Sequence, residues 1–281
     1  MSTPGSFIRD VAQLPAYRKR LKEAGYTWLD RVETVEYAPP YRGTWGQKRS
    51  RKMLRLMPKG GVDAVKAWVV YLHGGAWAFG RPDDFLAVAN CFVPEGFGLI
   101  MPTYRRLPRY HGGNMIDDLR LALVECAKRG WILPTQQAPL VSGMSSGGHL
   151  AAILGLSPTF WEDAGWPRPQ KVICCGAPLD LDLMPSYPGM NLLFRGQIEI
   201  NPKKILAHCE EIPPFMILHP TKDGMAPARQ AASFYRALRK KSDLAQIHWI
   251  ANKGHLAAGE WMFTDGEIRR KICAFSLADT T

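Results

Sequence analysis

The chain has 281 residues, a length that suits one large α/β domain or two small ones. Hydrophobic residues make up 46% and charged residues 22%, which is typical of an ordinary globular protein and excludes a disordered or fibrous one. The net charge is +11, but the basic residues are dispersed, and their densest cluster has no interleaved aromatic residues. We therefore expect no nucleic-acid partner. Without a run of about 18 apolar residues, we expect no membrane span either.

The opening segment and the cysteines bear on the location of the protein. Residues 1–10 lack the apolar core of a secretory signal, so a cytoplasmic protein is expected. The six cysteines include no Cys-x-x-Cys pair, and we expect all of them to be reduced. Cys174 and Cys175 are adjacent in an apolar run and should face opposite sides of a sheet. No histidine or carboxylate cluster has metal-ligand spacing, so neither a metal nor a cofactor is expected.

Predicted helices and strands alternate along the chain. A helix at 15–24 precedes two strands, 31–37 and 52–57, which are joined by a turn region containing Pro39 and Pro40. The later strands are predicted at 67–72, 97–101, 172–175, 215–218 and 245–250, and the later helices at 117–129, 227–241 and 265–277. A further strand and helix are predicted within 140–152. This alternation predicts a mostly parallel sheet wrapped on both faces.

We expect the chain, residues 1–281, to form a single domain with two additions. Residues 1–66 would supply an N-terminal helix and an edge hairpin, which together could act as a lid. Residues 181–212 are rich in Leu, Met, Pro and Asn, and they look like a cap insertion over the top of the sheet.

One stretch, from Leu140 to Ala152, carries the motif Gly-x-Ser-x-Gly at Gly143, Ser145 and Gly147. An apolar strand-like run precedes the motif and an alanine-rich helix-like run follows it, so the serine would stand at the apex of a tight turn. Glycine at both flanks removes the side-chain collisions that such a strained turn would cause. The motif therefore predicts a nucleophile. The alternative is a Ser/Gly loop that only caps a helix.

A serine nucleophile needs a base, and the base needs a carboxylate to hold it. In a parallel sheet such groups gather in the loops after strands, where both Asp223 and His255 are found. Asp180 and Asp182 also follow a strand, but only Asp223 opens a Gly-then-Pro loop into a helix. His255, in a polar loop behind a glycine, is favoured as base over the other candidates, which are His73, His149, His219 and His248.

The segment from His73 to Trp77, His-Gly-Gly-Ala-Trp, directly follows a predicted buried strand. Its glycines allow backbone N–H groups to turn toward a ligand, and His73 is expected to stabilise the turn. A plain glycine turn is the alternative. The serine motif about 70 residues later favours an anion cradle. His149, one helical turn beyond the serine, is expected to pack or to hold a loop.

These motifs, in this order, resemble those of the α/β-hydrolase fold family from about residue 67 to 260. The nearest likeness is to bacterial acetyl- or feruloyl-type esterases and the hormone-sensitive-lipase group. The resemblance implies Ser145 as nucleophile with Asp223 and His255 as partners, and a small cap over the sheet. It also implies oxyanion donors at Gly75, Ala76 and Ser146. Gly74 and Trp77 are expected to bind substrate.

Two departures from the family are visible. Arg106 stands where relatives usually run Tyr-Arg-Leu-Ala-Pro, and Met144 replaces a polar residue before the serine. The favoured hypothesis is a cofactor-free serine esterase acting on a small-molecule ester or amide with a short or medium acyl group. One alternative is a kynurenine formamidase-like arylformamide hydrolase, with an aromatic pocket from Trp77, Tyr187 and Phe194. A non-catalytic binding protein of the same fold is the other, and a homodimer is left open.

Overall fold

A computed structural model describes residues 4–133, 136–185, 190–193 and 199–279. Its strands are β1 Glu33–Arg42, β2 Lys48–Leu56, β3 Ala67–Leu72, β4 Gly98–Pro102, β5 Gln137–Met144, β6 Lys171–Cys175, β7 Phe215–Pro220 and β8 Gln246–Ile250. They form one sheet in the order β1-β2-β4-β3-β5-β6-β7-β8. β2 pairs antiparallel with both of its neighbours, and every other pairing is parallel. The mostly parallel sheet predicted from the sequence is therefore confirmed.

Helices lie on both faces of this sheet. They are α1 Pro4–Ala12, α2 Leu14–Gly25, α3 Ala89–Phe92, α4 Gly112–Lys128, α5 Ser146–Gly155, α6 Pro158–Asp163, α7 Met190–Leu193, α8 Pro202–Ala207, α9 Ala228–Arg239 and α10 Glu267–Leu277. Short 3-10 helices span Tyr26–Arg31, Gly61–Ala64, Pro82–Val88, Leu181–Leu183 and His255–Met262. No helix in the described part of the chain is both long enough and apolar enough to cross a membrane.

The sheet separates two apolar cores. Every residue of β3, β6 and β7 is buried, as expected for strands covered on both faces. Alternate side chains enter alternate cores: Cys174 belongs to one and Cys175 to the other, as predicted for adjacent strand residues. All six cysteines are free thiols, and the Sγ atoms of Cys91 and Cys273 lie 3.1 Å apart.

The predicted turn at the paired prolines is wrong, because β1 continues through Pro39 and Pro40 to Arg42. β1 is an edge strand, so a missing N–H there need not break a ladder hydrogen bond. Its pairing with β2 shifts register on both sides of Ala38, which accommodates the prolines. The chain reverses later, where the backbone N–H of Gly43 donates to the carbonyl of Gln47 at 2.8 Å.

Residues 4–31 lie against the body of the protein. The indole Nε1 of Trp28 donates to Oδ1 of Asn90 at 2.7 Å. Gly25 at the end of α2 approaches the backbone of Ala87 so closely that a Cβ there would lie 3.1 Å from the Ala87 nitrogen. Helix α1 was not predicted from the sequence. Of the predicted 181–212 insertion, the structure describes residues 181–185, 190–193 and 199–212, and its role as a cap stays a prediction.

Candidate active site

The turn between β5 and α5 holds Ser145 in a strained conformation, with φ 55° and ψ −122°. The backbone N–H of Ser145 donates to the carbonyl of Cys175 on the neighbouring strand at 2.8 Å, which fixes the apex against the sheet. A Cβ on Gly143 would overlap the carbonyl of Gly147, and a Cβ on Gly147 would overlap that of Leu72. Glycine is therefore required at both flanks because the backbones pass in contact.

Ser145, His255 and Asp223 form a continuous hydrogen-bonded chain. The Oγ of Ser145 lies 2.9 Å from Nε2 of His255, and Nδ1 of His255 lies 2.8 Å from Oδ2 of Asp223. Because an ionised carboxylate only accepts, Nδ1 carries the proton and Nε2 is free to accept from the serine hydroxyl. The second carboxylate oxygen of Asp223 accepts from the backbone N–H groups of Met225 at 2.8 Å and Ala226 at 2.7 Å.

Burial and charge act in opposite directions on this pair. Burial lowers the pKa of His255, but the carboxylates of Asp223 and Asp10 outweigh burial and leave the pKa above its ordinary value of 6.5. Burial likewise raises the pKa of Asp223, and the interactions with His255 and with His219 outweigh it, so the pKa falls below its ordinary value. An ionised acid beside a readily protonated base is the arrangement that general-base catalysis requires.

His219 contacts the loop that carries the acid and does not compete for the role of base. Its Nε2 lies 2.8 Å from the carbonyl of Ala226 and 3.6 Å from Oδ2 of Asp223. Burial lowers the pKa of His219, so the ring is neutral at neutral pH and Nε2–H donates to the carbonyl. His219 thus fastens the loop that carries Asp223 at Ala226.

The loop after β3 has an unusual backbone. The φ angle is 134° at Gly75, 49° at Ala76 and 57° at Trp77. The carbonyl of Gly75 accepts from the backbone N–H groups of Ala78 at 3.0 Å and Phe79 at 2.7 Å, which closes the loop on itself. A Cβ at Gly75 would overlap the carbonyl of Phe79. Successive residues with positive φ turn backbone N–H groups toward one side, as in an anion nest.

This loop passes directly beside the serine. A Cβ on Gly74 would lie 3.5 Å from the Cβ of Ser145. The first turn of α5 starts at the next residue, where helix geometry leaves backbone N–H groups unpaired. Within the described ranges of the chain, no protein acceptor is paired with the backbone N–H groups of the three predicted oxyanion donors, Gly75, Ala76 and Ser146.

Two buried rings fix the start of this loop. Nδ1 of His73 lies 3.0 Å from the carbonyl of Gly74, and the ring stacks on Tyr104 with centroids 4.4 Å apart. The hydroxyl of Tyr104 donates to the carbonyl of His73 at 2.8 Å. Burial lowers the pKa of His73 to about 3, so the ring is neutral and Nδ1–H donates to Gly74. His73 stabilises its own turn, as predicted.

Trp77 and His149 connect the loop to the segment after β6. The indole Nε1 of Trp77 donates to Nδ1 of His149 at 3.2 Å, and Nε2 of His149 lies 2.8 Å from the carbonyl of Ile200. The side chain of Trp77 lies in the core, and the whole residue is 4% exposed. The loop-holding role predicted for His149 is therefore observed. The substrate contacts predicted for Trp77 and Gly74 stay predictions.

Two comparisons of sequence place these features among known proteins. The model of the BD-FAE family matches residues 56–164, a stretch that contains both the His73–Trp77 loop and the serine turn. Esterase LipC of Mycobacterium tuberculosis is 24% identical over 201 residues, which are 62% of this chain and 48% of LipC. The chain thus spans about half the length of this relative.

Solved structures show the same architecture. Esterase 2 of Thermogutta terrifontis, in a structure phosphorylated by paraoxon, superposes with a TM-score of 0.68 at 20% identity, covering 89% of this chain and 92% of that one. A bifunctional GH43-CE protein of Bacteroides eggerthii superposes with a TM-score of 0.71 at 17% identity over 88% of this chain and 38% of that one. This chain has the α/β-hydrolase fold.

In this α/β-hydrolase fold, the other candidate acids are occupied elsewhere. Asp180 is fully buried, and Oδ2 accepts from Lys203 at 2.7 Å and from the Ser233 hydroxyl at 2.6 Å. Asp182 is exposed and lies 3.0 Å from Lys204. Both carboxylates are engaged by partners other than an imidazole, so the structure leaves Asp223 as the acid that contacts a histidine among these candidates.

The departure at Arg106 has a local explanation. Arg105, not Arg106, supplies the guanidinium that pairs with the buried carboxylate of Asp118, with Nε 2.9 Å from Oδ1. Even with the additional arginine, this loop contacts the segment from His73 to Trp77, because the backbone N–H of Leu107 donates to the carbonyl of Trp77 at 3.1 Å. The Nε of Arg106 is buried without a hydrogen-bond partner among the described residues.

One residue of the site was missed by the sequence reasoning. Asp10, on α1, is fully buried, and Oδ2 accepts from the backbone N–H groups of Gly224 at 2.8 Å and His255 at 3.1 Å. Nothing in the short polar N-terminal stretch signals this contact, since its partners lie more than 200 residues away. The predicted Tyr187 and Phe194 lie outside the described residues, and the aromatic pocket stays a prediction.

Proposed function

We propose that this protein is a serine hydrolase that cleaves carboxylic esters with short or medium acyl groups. The observation that carries the proposal is the relay from Ser145 through His255 to Asp223, with hydrogen-bond distances of 2.9 and 2.8 Å. LipC and esterase 2, to which the chain is similar, are both named as esterases, which supports ester chemistry. A small-molecule ester is therefore the proposed substrate.

The proposed mechanism follows from the protonation of the relay. Nε2 of His255 accepts the hydroxyl proton of Ser145 as Oγ attacks the acyl carbon. Asp223 orients the ring through Nδ1–H and stabilises the imidazolium. The imidazolium then returns its proton to the leaving alcohol, which leaves an acyl-serine. A water molecule, deprotonated by the same ring, releases the acid and restores the enzyme.

The negative charge of the tetrahedral intermediate needs donors that are already in place. We propose the backbone N–H of Ser146 together with that of Gly75 or Ala76, because these donors flank the serine and have no acceptor among the described residues. Each should contribute about 3 kcal/mol to the lowering of the barrier. Backbone donors on a closed loop need not reorganise during the reaction, because they are oriented when the protein folds.

The aromatic pocket that would suit an arylformamide loses one of its proposed members, because the ring of Trp77 is buried against His149.

We propose one domain over residues 1–281, in which residues 1–66 form the helix and edge hairpin and residues 181–212 form a cap. A cytoplasmic location and a homodimer stay predictions.

The test uses the purified chain with p-nitrophenyl acetate, butyrate and octanoate, and with N-formylkynurenine as the competing substrate. Ser145→Ala should lower kcat/KM at least about 10⁴-fold and abolish labelling by a fluorophosphonate. Ser142→Ala is the matched control, because that hydroxyl is buried in β5 and has no partner to lose among the described residues. A Ser145→Ala protein that is still labelled would refute the proposal, and faster turnover of formylkynurenine would favour the formamidase.

A further inference from the structure

Helix α1 places one carboxylate between the two loops that carry the acid and the base. Oδ2 of Asp10 accepts from the backbone N–H of Gly224, the residue after the acid, at 2.8 Å. The same oxygen accepts from the backbone N–H of His255 itself at 3.1 Å. A single buried atom therefore ties both loops together, and the rotation of the base loop relative to the acid loop is restricted.

The other oxygen of the carboxylate is held as firmly. Oδ1 of Asp10 accepts from Nε of Arg9 at 3.1 Å and from Nη2 at 2.8 Å. Nη2 of Arg9 also donates to the carbonyl of Lys222, one residue before the acid, at 2.7 Å. Arg9 and Asp10 thus grip the acid loop on both sides of Asp223, and a charge-assisted pair of this kind is stronger than neutral hydrogen bonds.

The two loops approach α1 so closely that glycine is required in each. A Cβ on Gly224 would overlap the backbone of Ser6. A Cβ on Gly254, the residue before the base, would overlap the carboxylate of Asp10 and lie 2.6 Å from Nη2 of Arg9. Both contacts indicate that α1 lies directly on the acid and base loops.

We propose that Asp10 is a positioning residue for the hydrolytic reaction: it sets the distance and orientation of His255 relative to Asp223 and Ser145. The inference rests on the proposed function. It assigns to the N-terminal helix a role in the chemistry that goes beyond covering the site. In the described part of the chain, the hydrogen bonds from the two loops to Asp10 come from backbone N–H groups, so Asp10 acts on the catalytic side chains through those loops.

The negative charge of Asp10 should affect the protonation of His255, an effect that packing alone would not produce. Among the described residues, the charged and titratable groups near His255 include Asp223 at its Nδ1 and Asp10 at its backbone N–H, with Arg9 paired to Asp10. His219 lies 3.6 Å from the Asp223 carboxylate, and Tyr17 contacts Met144, the residue before Ser145. Burial raises the pKa of Tyr17 and lowers that of His219, so both stay neutral near neutral pH. Removing the Asp10 carboxylate takes away a negative charge and leaves Arg9 unneutralised, and both changes favour the neutral imidazole.

The experiment compares Asp10→Ala and Asp10→Asn with the full-length wild type. Trp28→Phe is the control, because it breaks the 2.7 Å bond to Asn90 that anchors the N-terminal segment without touching either loop. Fluorophosphonate titration counts intact sites, so kcat is expressed per titrated site and unfolded protein does not enter. The pH dependence of kcat/KM and the NMR titration of the His255 ring are measured for each protein.

Asp10→Ala should lower kcat per titrated site about 10- to 100-fold, because small errors in the position of a base are costly, and should leave KM nearly unchanged. Asp10→Asn keeps an oxygen for the two backbone N–H groups and should lose less. In both variants the midpoint of the His255 titration should move to lower pH. In Trp28→Phe, stability should fall while kcat per site and the midpoint stay at the wild-type values.

Wild-type kcat per site and an unmoved midpoint in Asp10→Ala would overturn the inference. An inactive, unlabelled wild type would instead overturn the proposed function. In that case the NMR midpoint still decides whether Asp10 acts on His255, since it requires no turnover.

Discussion

His149 should lower the free energy of unfolding of the protein in mild acid. Its Nδ1 accepts from the indole of Trp77, which can only donate, so this nitrogen must be unprotonated in the folded state. Nε2–H donates to the carbonyl of Ile200. Protonation at Nδ1 would break the bond to Trp77 and bury an unpaired charge. We therefore expect His149→Gln to remove a pH-dependent cost, because an amide can accept from Trp77 and donate to Ile200 without titrating.

The magnitude follows from the pKa of the ring. Burial lowers the pKa of His149 from 6.5 to about 4 in the folded protein. Above pH 6.5 neither the folded nor the unfolded chain protonates this ring, and it contributes no pH dependence. Between pH 6.5 and pH 4 only the unfolded chain binds the proton, so the free energy of unfolding falls by about 1.4 kcal/mol for each pH unit. The total loss at pH 4 is about 3 kcal/mol.

The assay is urea unfolding of the wild type and His149→Gln at a series of pH values from 8 to 4, the range that follows from this pKa. The difference between the two free energies of unfolding is the informative quantity, because His73, whose pKa is also lowered by burial, titrates in both proteins and cancels. His208→Gln, at an exposed histidine after α8, is the matched control. This variant reports what the same substitution does to the free energy of unfolding at the protein surface.

A constant difference between wild type and His149→Gln from pH 8 to pH 4 would refute the reasoning. It would mean that His149 titrates alike in the folded and unfolded chains, which is incompatible with an Nδ1 committed to the indole of Trp77.

Two further outcomes are expected. Gly147→Ala should destabilise the protein by about 1 to 3 kcal/mol, because the added Cβ would overlap the carbonyl of Leu72 and lie 2.6 Å from that of His73; Gly266→Ala, where a Cβ meets nothing within 4 Å, is the control in thermal unfolding. Esterase activity should rise with pH along an acid limb with its midpoint above 6.5, because the base must be neutral and the carboxylates near His255 raise its pKa; a midpoint below 6.5 would contradict this assignment.

Sequence reasoning succeeded where a local pattern is tied to a local geometry. The glycines around Ser145 predict a tight turn, because backbone contacts within a few residues and with one neighbouring strand leave no room for a side chain. The apolar runs predict buried parallel strands because a strand covered on both faces is built mainly of apolar residues. The acid and base loops could be proposed on similar grounds, since each directly follows a strand.

The failures have a common physical cause. Pro39 and Pro40 predict a turn because proline is disfavoured in the interior of a sheet. An edge strand with shifted register tolerates them. Helix α1 and Asp10 were missed because Asp10 accepts hydrogen bonds from residues 214 and 245 positions away, which a local pattern does not show. Only the folded chain shows that the carboxylate reaches both loops.

The separation between Asp10 and its partners also affects the order of assembly. A ribosome releases the start of the chain first, so α1 exists long before the loops that it fastens, the nearer of which lies 214 positions later. Catalytic competence should therefore appear only after residue 255 has been synthesised, because the contact between Asp10 and the base loop requires it. Recovery of esterase turnover after dilution from denaturant would then report the docking of α1 on the acid and base loops, a later event than the recovery of secondary structure.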